Sequence, residues 1–160
     1  MLETKILYQH HFSECYNLLK KSHNDLKYFN QLGWSKDQFL FQLSKDSNLA
    51  LILLNNGQIE GFIIGDLITI EKKSEYEILV LYVDINARKL GHATKLINDI
   101  PFFLSKSKLK NIFLEVDKNN KAAINLYLKN YFIKIGVRQK YYNLYNNKVD
   151  AYLFKKIIND

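Results

Sequence analysis

The sequence is poor in the residues that divide a chain into parts or staple it together. Among 160 residues it has one cysteine, Cys15, one proline, Pro101, and six glycines. A lone cysteine cannot form an intramolecular disulfide, which points to a reducing compartment or to indifference to redox state, and the cytoplasm is the expected location. With so little glycine and proline there is no recognisable linker, and neither an internal repeat nor a long low-complexity stretch is present. One domain over residues 1–160 is expected. No apolar run approaches the ~20 residues of a membrane-spanning helix, and Glu3 and Lys5 interrupt the first stretch, Met1 to Tyr8, so neither a signal peptide nor a membrane span is expected. His10, His11, His23 and His92 lack the spacing of a metal site with Cys15 or a carboxylate; no metal is expected, and these histidines are read as solvated or capping.

What the chain does have is enough apolar material for one sizeable core, 48% hydrophobic residues, and a formal charge of +7. A basic protein attracts polyanions such as RNA, an anionic surface or a phosphate-rich cofactor. The abundance of Lys, Asn and Ile has two readings, a selected basic surface and a biased genome composition, and no Lys/Arg block is dense enough for an RNA-binding arm. Nucleic acid is therefore not required as a partner.

The hydrophobic pattern predicts a strand at Thr4 to Tyr8 and a helix from about His11 to Ser22, with Phe12, Cys15, Tyr16 and Leu19 at helical spacing. A second helix starts after Trp34, capped by Ser35 with Gln38 three residues on. Leu49 to Leu54 and Ile59 to Ile70 form a hairpin through Asn55, Asn56 and Gly57, residue types that tolerate positive φ. Tyr76 to Val83 is apolar almost continuously from Ile78, the mark of a strand covered on both faces, and is expected at the centre of the sheet. A helix follows from about Gly91 to Leu104, with a kink or early end near Pro101. Asn111 to Val116 is a strand, Asn120 to Lys129 a helix, and Phe132 to Arg138 and Val149 to Lys155 are strands. The order βααβββαβαββ predicts an α/β fold, a mixed central sheet flanked by helices.

Two places carry chemistry. Between the central strand and the next helix stand Arg88, Lys89, Leu90, Gly91, His92, Ala93 and Thr94. The first N–H groups of a helix lack internal partners and lie at the positive end of the dipole, so they hold a diphosphate where small residues such as Gly91 and Ala93 let it approach. Arg88 and Lys89 oppose that dipole and call for an anion. Taken alone, R-x-x-G-x-A reads as an ordinary strand-to-helix turn with a glycine and exposed basic residues. In the later strand, alternation puts Glu115 on the face opposite Ile112, Leu114 and Val116. Partial loss of water there raises a carboxylate's pKa and makes it a better proton acceptor at neutral pH, although a strand-end glutamate can also simply reach solvent. Tyr127 on the following helix is, by itself, core packing.

In context these segments resemble the GNAT superfamily of N-acetyltransferases. The strand, the turn with R-x-x-G-x-A and the helix match the family's Q/R-x-x-G-x-G/A signature, with Ile85 in place of the usual proline and Ala93 in place of the frequent glycine. Leu114, Glu115, Val116, then Asn120, Ala122, Ala123, Leu126, Tyr127 and Phe132 match its second motif. Arg138, Tyr141, Tyr142, Asp150 and Ala151, together with Trp34, Ser35 and Phe39, are similar to features of RimI-type enzymes, which acetylate the N-terminal alanine of a ribosomal protein.

The resemblance implies the GNAT fold, acetyl-CoA as co-substrate and direct transfer in a ternary complex. Glu115 is implied as proton acceptor and Tyr127 as proton donor to the departing sulfur. Leu81, Tyr82 and Val83 would lie along the pantetheine arm through their backbone, Lys89 to Thr94 around the pyrophosphate, Asn120 near the cofactor, and Trp34, Tyr141 and Tyr142 near the acceptor. The implied acceptor is a protein N-terminus, with lysine side chains, polyamines or other small amines as the alternative, and a non-catalytic RNA- or ribosome-binding module as a second one. Where the family has glycine before Phe132 this chain has Tyr131, so Asn130 is expected to take the left-handed position that ends the helix. Cys15, on an apolar helix side, is read as a structural thiol and not as an acetyl carrier.

Overall fold

The computed structural model describes residues 1–159. Strand β1 (Leu2–Ile6) leads through a 3-10 turn into helices α1 (Phe12–Lys20), α2 (His23–Gln31) and α3 (Lys36–Leu43). Then come the hairpin β2 (Asn48–Asn55) and β3 (Gln58–Ile70), β4 (Lys73–Val83), α4 (His92–Phe103), β5 (Leu109–Asp117), α5 (Lys121–Lys129) and the hairpin β6 (Ile133–Leu144) and β7 (Asn147–Ile157). The seven strands lie in the order β1-β2-β3-β4-β5-β7-β6, so β4 is central. Only β4 and β5 pair in parallel among the described residues.

The expected α/β architecture is present, with one helix added. α2 escapes a periodicity reading because none of its nine residues is buried. Its start signal is nevertheless in the sequence: Ser22 Oγ accepts from the Asp25 N–H at 3.2 Å, satisfying one of the free donors of a helix start. Ser35 caps α3 in the same way, accepting from Gln38 N–H at 3.2 Å. Asn56 and Gly57, at φ 49° and 82°, make the β2–β3 turn. α4 ends two residues past Pro101, whose ring nitrogen cannot donate to the carbonyl four residues back.

The expectation for Asn130 is corrected. Tyr131 takes the left-handed conformation at φ 67°, whereas Asn130 has φ −97°. Phe132 N–H donates to the Tyr127 carbonyl at 3.0 Å and Tyr131 N–H to that of Leu128 at 3.2 Å, the pair of bonds that closes a helix end of this type. Asn130 is kept out of that position by other bonds: it is buried, and its Nδ2 donates to Thr94 Oγ1 at 3.1 Å and to the Leu126 carbonyl at 2.9 Å, tying α5 to α4.

Helices cover both faces of the sheet. Leu96, Ile97 and Ile100 of α4 and Tyr127 of α5 pack on Leu51, Ile63, Ile112 and Leu114. On the other face, Leu19 of α1 and Phe39 of α3 pack on Ile52, Phe62 and Val80. A bulge in β4 divides its side chains between these cores. Ile64 pairs with Val80 but Gly65 pairs with Ile78, leaving Leu79 as the extra residue. Tyr76 and Ile78 consequently join the α4–α5 core, and Val80 and Tyr82 the opposite one. Gly65 permits this crossing, because a Cβ there would fall on the Glu77 carbonyl and the Tyr76 ring.

Just past the bulge the sheet opens. Parallel pairing of β4 with β5 ends at Ile78 and Leu114, while β5 continues beside β7 as far as Asp117 and Ala151. Residues 79–83 of β4 and 115–117 of β5 thus face each other without a shared ladder.

Candidate active site

The chain leaves the open end of β4 through Asp84, whose Oδ1 accepts from Asn86 N–H at 3.0 Å and shapes the turn. Gly91, at φ 85°, is the N-cap of α4, and Lys89 is also left-handed at φ 64°. No atom would come within 4 Å of a Cβ added at Gly91, so the backbone is open to approach there. The first bond of the helix is Lys95 N–H to the Gly91 carbonyl at 3.0 Å, and among the described residues the N–H groups of residues 89–94 have no hydrogen-bond acceptor. Open amides at the positive end of a twelve-residue helix, with Lys89 exposed beside them, suit an anion.

Two side chains of this segment point elsewhere. Arg88 donates through Nε to the Val83 carbonyl at 3.1 Å and through Nη2 to Asp25 Oδ2 at 2.6 Å, so its guanidinium is committed to α2. His92 is buried and not solvated as expected: it is 4% exposed, with Nε2 2.5 Å from Glu60 Oε2 and Nδ1 without a partner among the described residues. The first residue of α4 faces the sheet, and the neighbouring carboxylate on β3 receives its ring. Leu81 and Val83 are half-buried on the opened edge, whereas the Tyr82 ring lies in the α1–α3 core with its hydroxyl donating to Asp25 at 2.6 Å. Asn120 caps α5, accepting from Ala123 N–H at 3.2 Å.

Alternation along β5 places Ile112, Leu114 and Val116 in the α4–α5 core and Glu115 on the other face. There Glu115 pairs with Arg138 of β6 at 2.9 Å and lines a cleft of about 200 Å³ with Glu77, Phe113, Ile135 and Leu153. Tyr127 approaches the same level from the other side of the sheet. Its ring meets those of Phe132 and Phe154 at centroid distances of 5.5 and 6.3 Å, and Phe154 pairs with Leu114, where the β4–β5 ladder ends. Burial pushes the Tyr127 hydroxyl well above the usual phenol range, which keeps it protonated. Glu115 and Tyr127 lie on opposite faces of the sheet.

Tyr141 is half-exposed at this cleft, with the Arg138 guanidinium 5.4 Å from its ring centroid, and the Glu115 carboxylate raises its pKa. Tyr142 stacks edge-on to Tyr141 at 5.0 Å and is raised by burial and then by Glu115. Trp34 is not brought to this place: its ring lies 5.1 Å from that of Phe39, against the α1–α3 core. Cys15 is buried, and burial pushes its thiol up to about 12.

Several residues at the site carry no sequence motif of their own. Glu77 is the neighbour of Phe113 across the β4–β5 ladder; burial first, then the Glu115 and Asp66 carboxylates, raise its pKa. Tyr28 of α2 donates to Asp117 Oδ2 at 3.1 Å, at the end of β5. Alternation from Tyr76 predicts an outward-facing Glu77, but only the pairing of β4 with β5 brings it beside Glu115.

Among the described residues no helix is long and apolar enough to cross a membrane, and no three His, Cys, Asp or Glu side chains are grouped to hold a metal ion. An uncharacterized N-acetyltransferase of Methanocaldococcus jannaschii is 29% identical over 106 residues, covering 64% of this chain and 47% of that protein. The chain thus spans about half the length of this curated relative. Solved structures share the fold at low identity. The ribosomal-protein-S18-alanine N-acetyltransferase of Escherichia coli superposes with a TM-score of 0.82 at 22% identity, over 100% of this chain and 96% of that one. Arabidopsis thaliana NAA60 in complex with acetyl-CoA gives 0.81 at 17%, over 100% of both chains. Ard1 of Thermoplasma volcanium gives 0.78 at 19%, over 99% of both. The model of the acetyltransferase (GNAT) family matches residues 7–132, and with it the chain belongs to that family.

Proposed function

We propose that the chain transfers the acetyl group of acetyl-CoA to the N-terminal α-amine of a protein, directly and within a ternary complex. The observation that carries this reading is the parting of β4 from β5 beside an open helix start, with Glu115 the first residue of β5 past their shared ladder. The residues present fit acetyl-CoA: open N–H groups at 89–94 suit a diphosphate, and the unladdered edge at 79–83 suits an arm built of amides. When bound, the group supplies an activated acetyl thioester. A RimI-like acceptor, the N-terminal alanine of a ribosomal protein, is favoured by two relatives of the same fold. One is the S18-alanine enzyme of E. coli; the other is the ribosomal-protein-alanine N-acetyltransferase of Brucella melitensis, with a TM-score of 0.74 at 19% identity over 98% of this chain and 99% of that one.

Glu115 takes the proton of the attacking amine, directly or through a water. A terminal α-amine, with a pKa of ~7.7–8.0 against ~10.4 for lysine, needs less help to become nucleophilic at neutral pH. An N–H of the opened strand near Val83 holds the charge developing on the carbonyl oxygen, and Tyr127, kept neutral by burial, gives its proton to the departing thiolate. Tyr141 and Tyr142 line the approach for the acceptor.

The test is CoA release with a panel of peptides that differ only in a free or blocked N-terminus. Turnover is expected on the free form, lost on blocking. Glu115→Gln and Tyr127→Phe are each expected to lower kcat by roughly 10²–10⁴-fold. Equal turnover on blocked peptides containing lysine would move the acceptor to a side-chain amine, and undiminished turnover in both variants would remove the assigned roles.

A further inference from the structure

Helix α2 is held in place largely by polar contacts with other elements. It is nine residues long with none buried, too short to persist in water by itself, and Leu26 and Phe29 only partly pack against the α1–α3 core. Its polar side chains reach in two directions. Toward the turn before α4, Asp25 Oδ2 accepts from Tyr82 Oη and from Arg88 Nη2, both at 2.6 Å, and Lys21, just ahead of α2, reaches buried Asp84 at 2.6 Å. Burial alone would raise the Asp25 carboxyl; the Tyr82 and Arg88 bonds outweigh it and hold the group below the usual carboxylate range, so the contact is made by an anion. Toward the acceptor side, Tyr28 donates to Asp117 at 3.1 Å and Gln31 Oε1 accepts from Tyr145 N–H at 3.0 Å. Lys27 Nζ lies 5.3 Å from the Tyr145 ring centroid, at the tip of the β6–β7 hairpin.

We infer that Asp25 is a positioning residue that links the two substrate sites: ordering of residues 88–94 by the bound diphosphate is passed through Arg88 and Asp25 to α2, and from α2 to the β6–β7 hairpin beside the acceptor. The inference rests on the reading of residues 89–94 as the diphosphate site. Arg88 adjoins the open amides and is fixed at both of its donor ends, by the Val83 carbonyl and by Asp25, so a ligand that stills the turn also stills Asp25's partner. A helix held by such contacts then loses mobility before the acceptor arrives, and the acceptor binds to an already ordered wall.

Amide hydrogen exchange of the full chain, with CoA as the probe, tests this. In the wild type, saturating CoA is expected to slow exchange on the order of fivefold or more at residues 89–94, at 23–31 and at 143–147. In Asp25→Asn, protection at 89–94 is expected to persist while that at 23–31 and 143–147 is lost. Gln31→Ala, which leaves Asp25 in place, is expected to keep the protection of 23–31 and lose that of 143–147. Protection of 89–94 without any change in α2, or α2 protection that is the same in Asp25→Asn, or hairpin protection that survives Gln31→Ala, would overturn the link. Binding of CoA without protection of 89–94 in the wild type would instead overturn the site reading beneath it.

Discussion

Tyr131 ends α5 in a left-handed conformation that costs a non-glycine residue about 1 kcal/mol or more, and its side chain is 83% exposed, so no packing compensates. Tyr131→Gly is therefore expected to raise stability by ~0.5–1 kcal/mol, read as a higher urea midpoint with an unchanged slope. The family's glycine position before Phe132 keeps its left-handed backbone here although it holds Tyr131; Asn130, the residue type better suited to it, is held instead by Thr94 and the Leu126 carbonyl. Glu77 gives a prediction in pH. Its folded-state pKa is raised by burial and by the Glu115 and Asp66 carboxylates, so its contribution is favourable below the ordinary carboxylate range and is lost as pH rises through the raised folded value. Glu77→Gln removes that loss. Thermal melts are expected to show the variant gaining on the wild type from acid to neutral pH, with no gain at the acid end; a constant difference at all pH values would contradict this. Glu115 and Tyr127 are proposed as site residues on the strength of a motif, whereas Glu77 and Asp25 have none, because the groups they meet, Glu115 and Arg88, stand 38 and 63 residues away in the chain.

Among the elements, those whose cores repeat at a fixed period were legible. The β2–β3 hairpin has its turn where Asn56 and Gly57 require it, and β4 and α4 follow their apolar faces. α2 was not, since its hold on the fold is polar and distributed; its one local sign was Ser22 with Asp25 three residues on. The bulge in β4 was also invisible, because an extra residue in an apolar strand does not interrupt its hydrophobic run. Its partner position is testable. Gly65→Ala places a methyl group on the Glu77 carbonyl and the ring of Tyr76, a fully buried side chain whose hydroxyl bonds the Leu49 carbonyl at 2.8 Å. The expected cost is ~1–3 kcal/mol in a denaturant titration, together with weaker acetyl-CoA binding as β4 shifts beside the opening. An unchanged midpoint would mean that the strand crosses without needing glycine.

For the molecule as a whole, the mixed sheet opens where β4 and β5 lose their shared ladder; α4 follows β4 and α5 follows β5 there, and α2 reaches the end of β5 through Tyr28 and the β6–β7 turn through Gln31. Of the basic residues behind the formal charge of +7, Lys89 stands exposed beside the open amides at the α4 start, while Arg88 is paired with Asp25 and Arg138 with Glu115. The central claim is that those amides grip a diphosphate while its acyl end lies in the opening between Glu115 and Tyr127. Amide chemical shifts of the isotopically labelled full chain, followed during titration with acetyl-CoA, test it most directly. Saturation at one equivalent with the largest shifts at residues 89–94 and 79–83 is the predicted result; saturation with those amides unmoved would contradict the account.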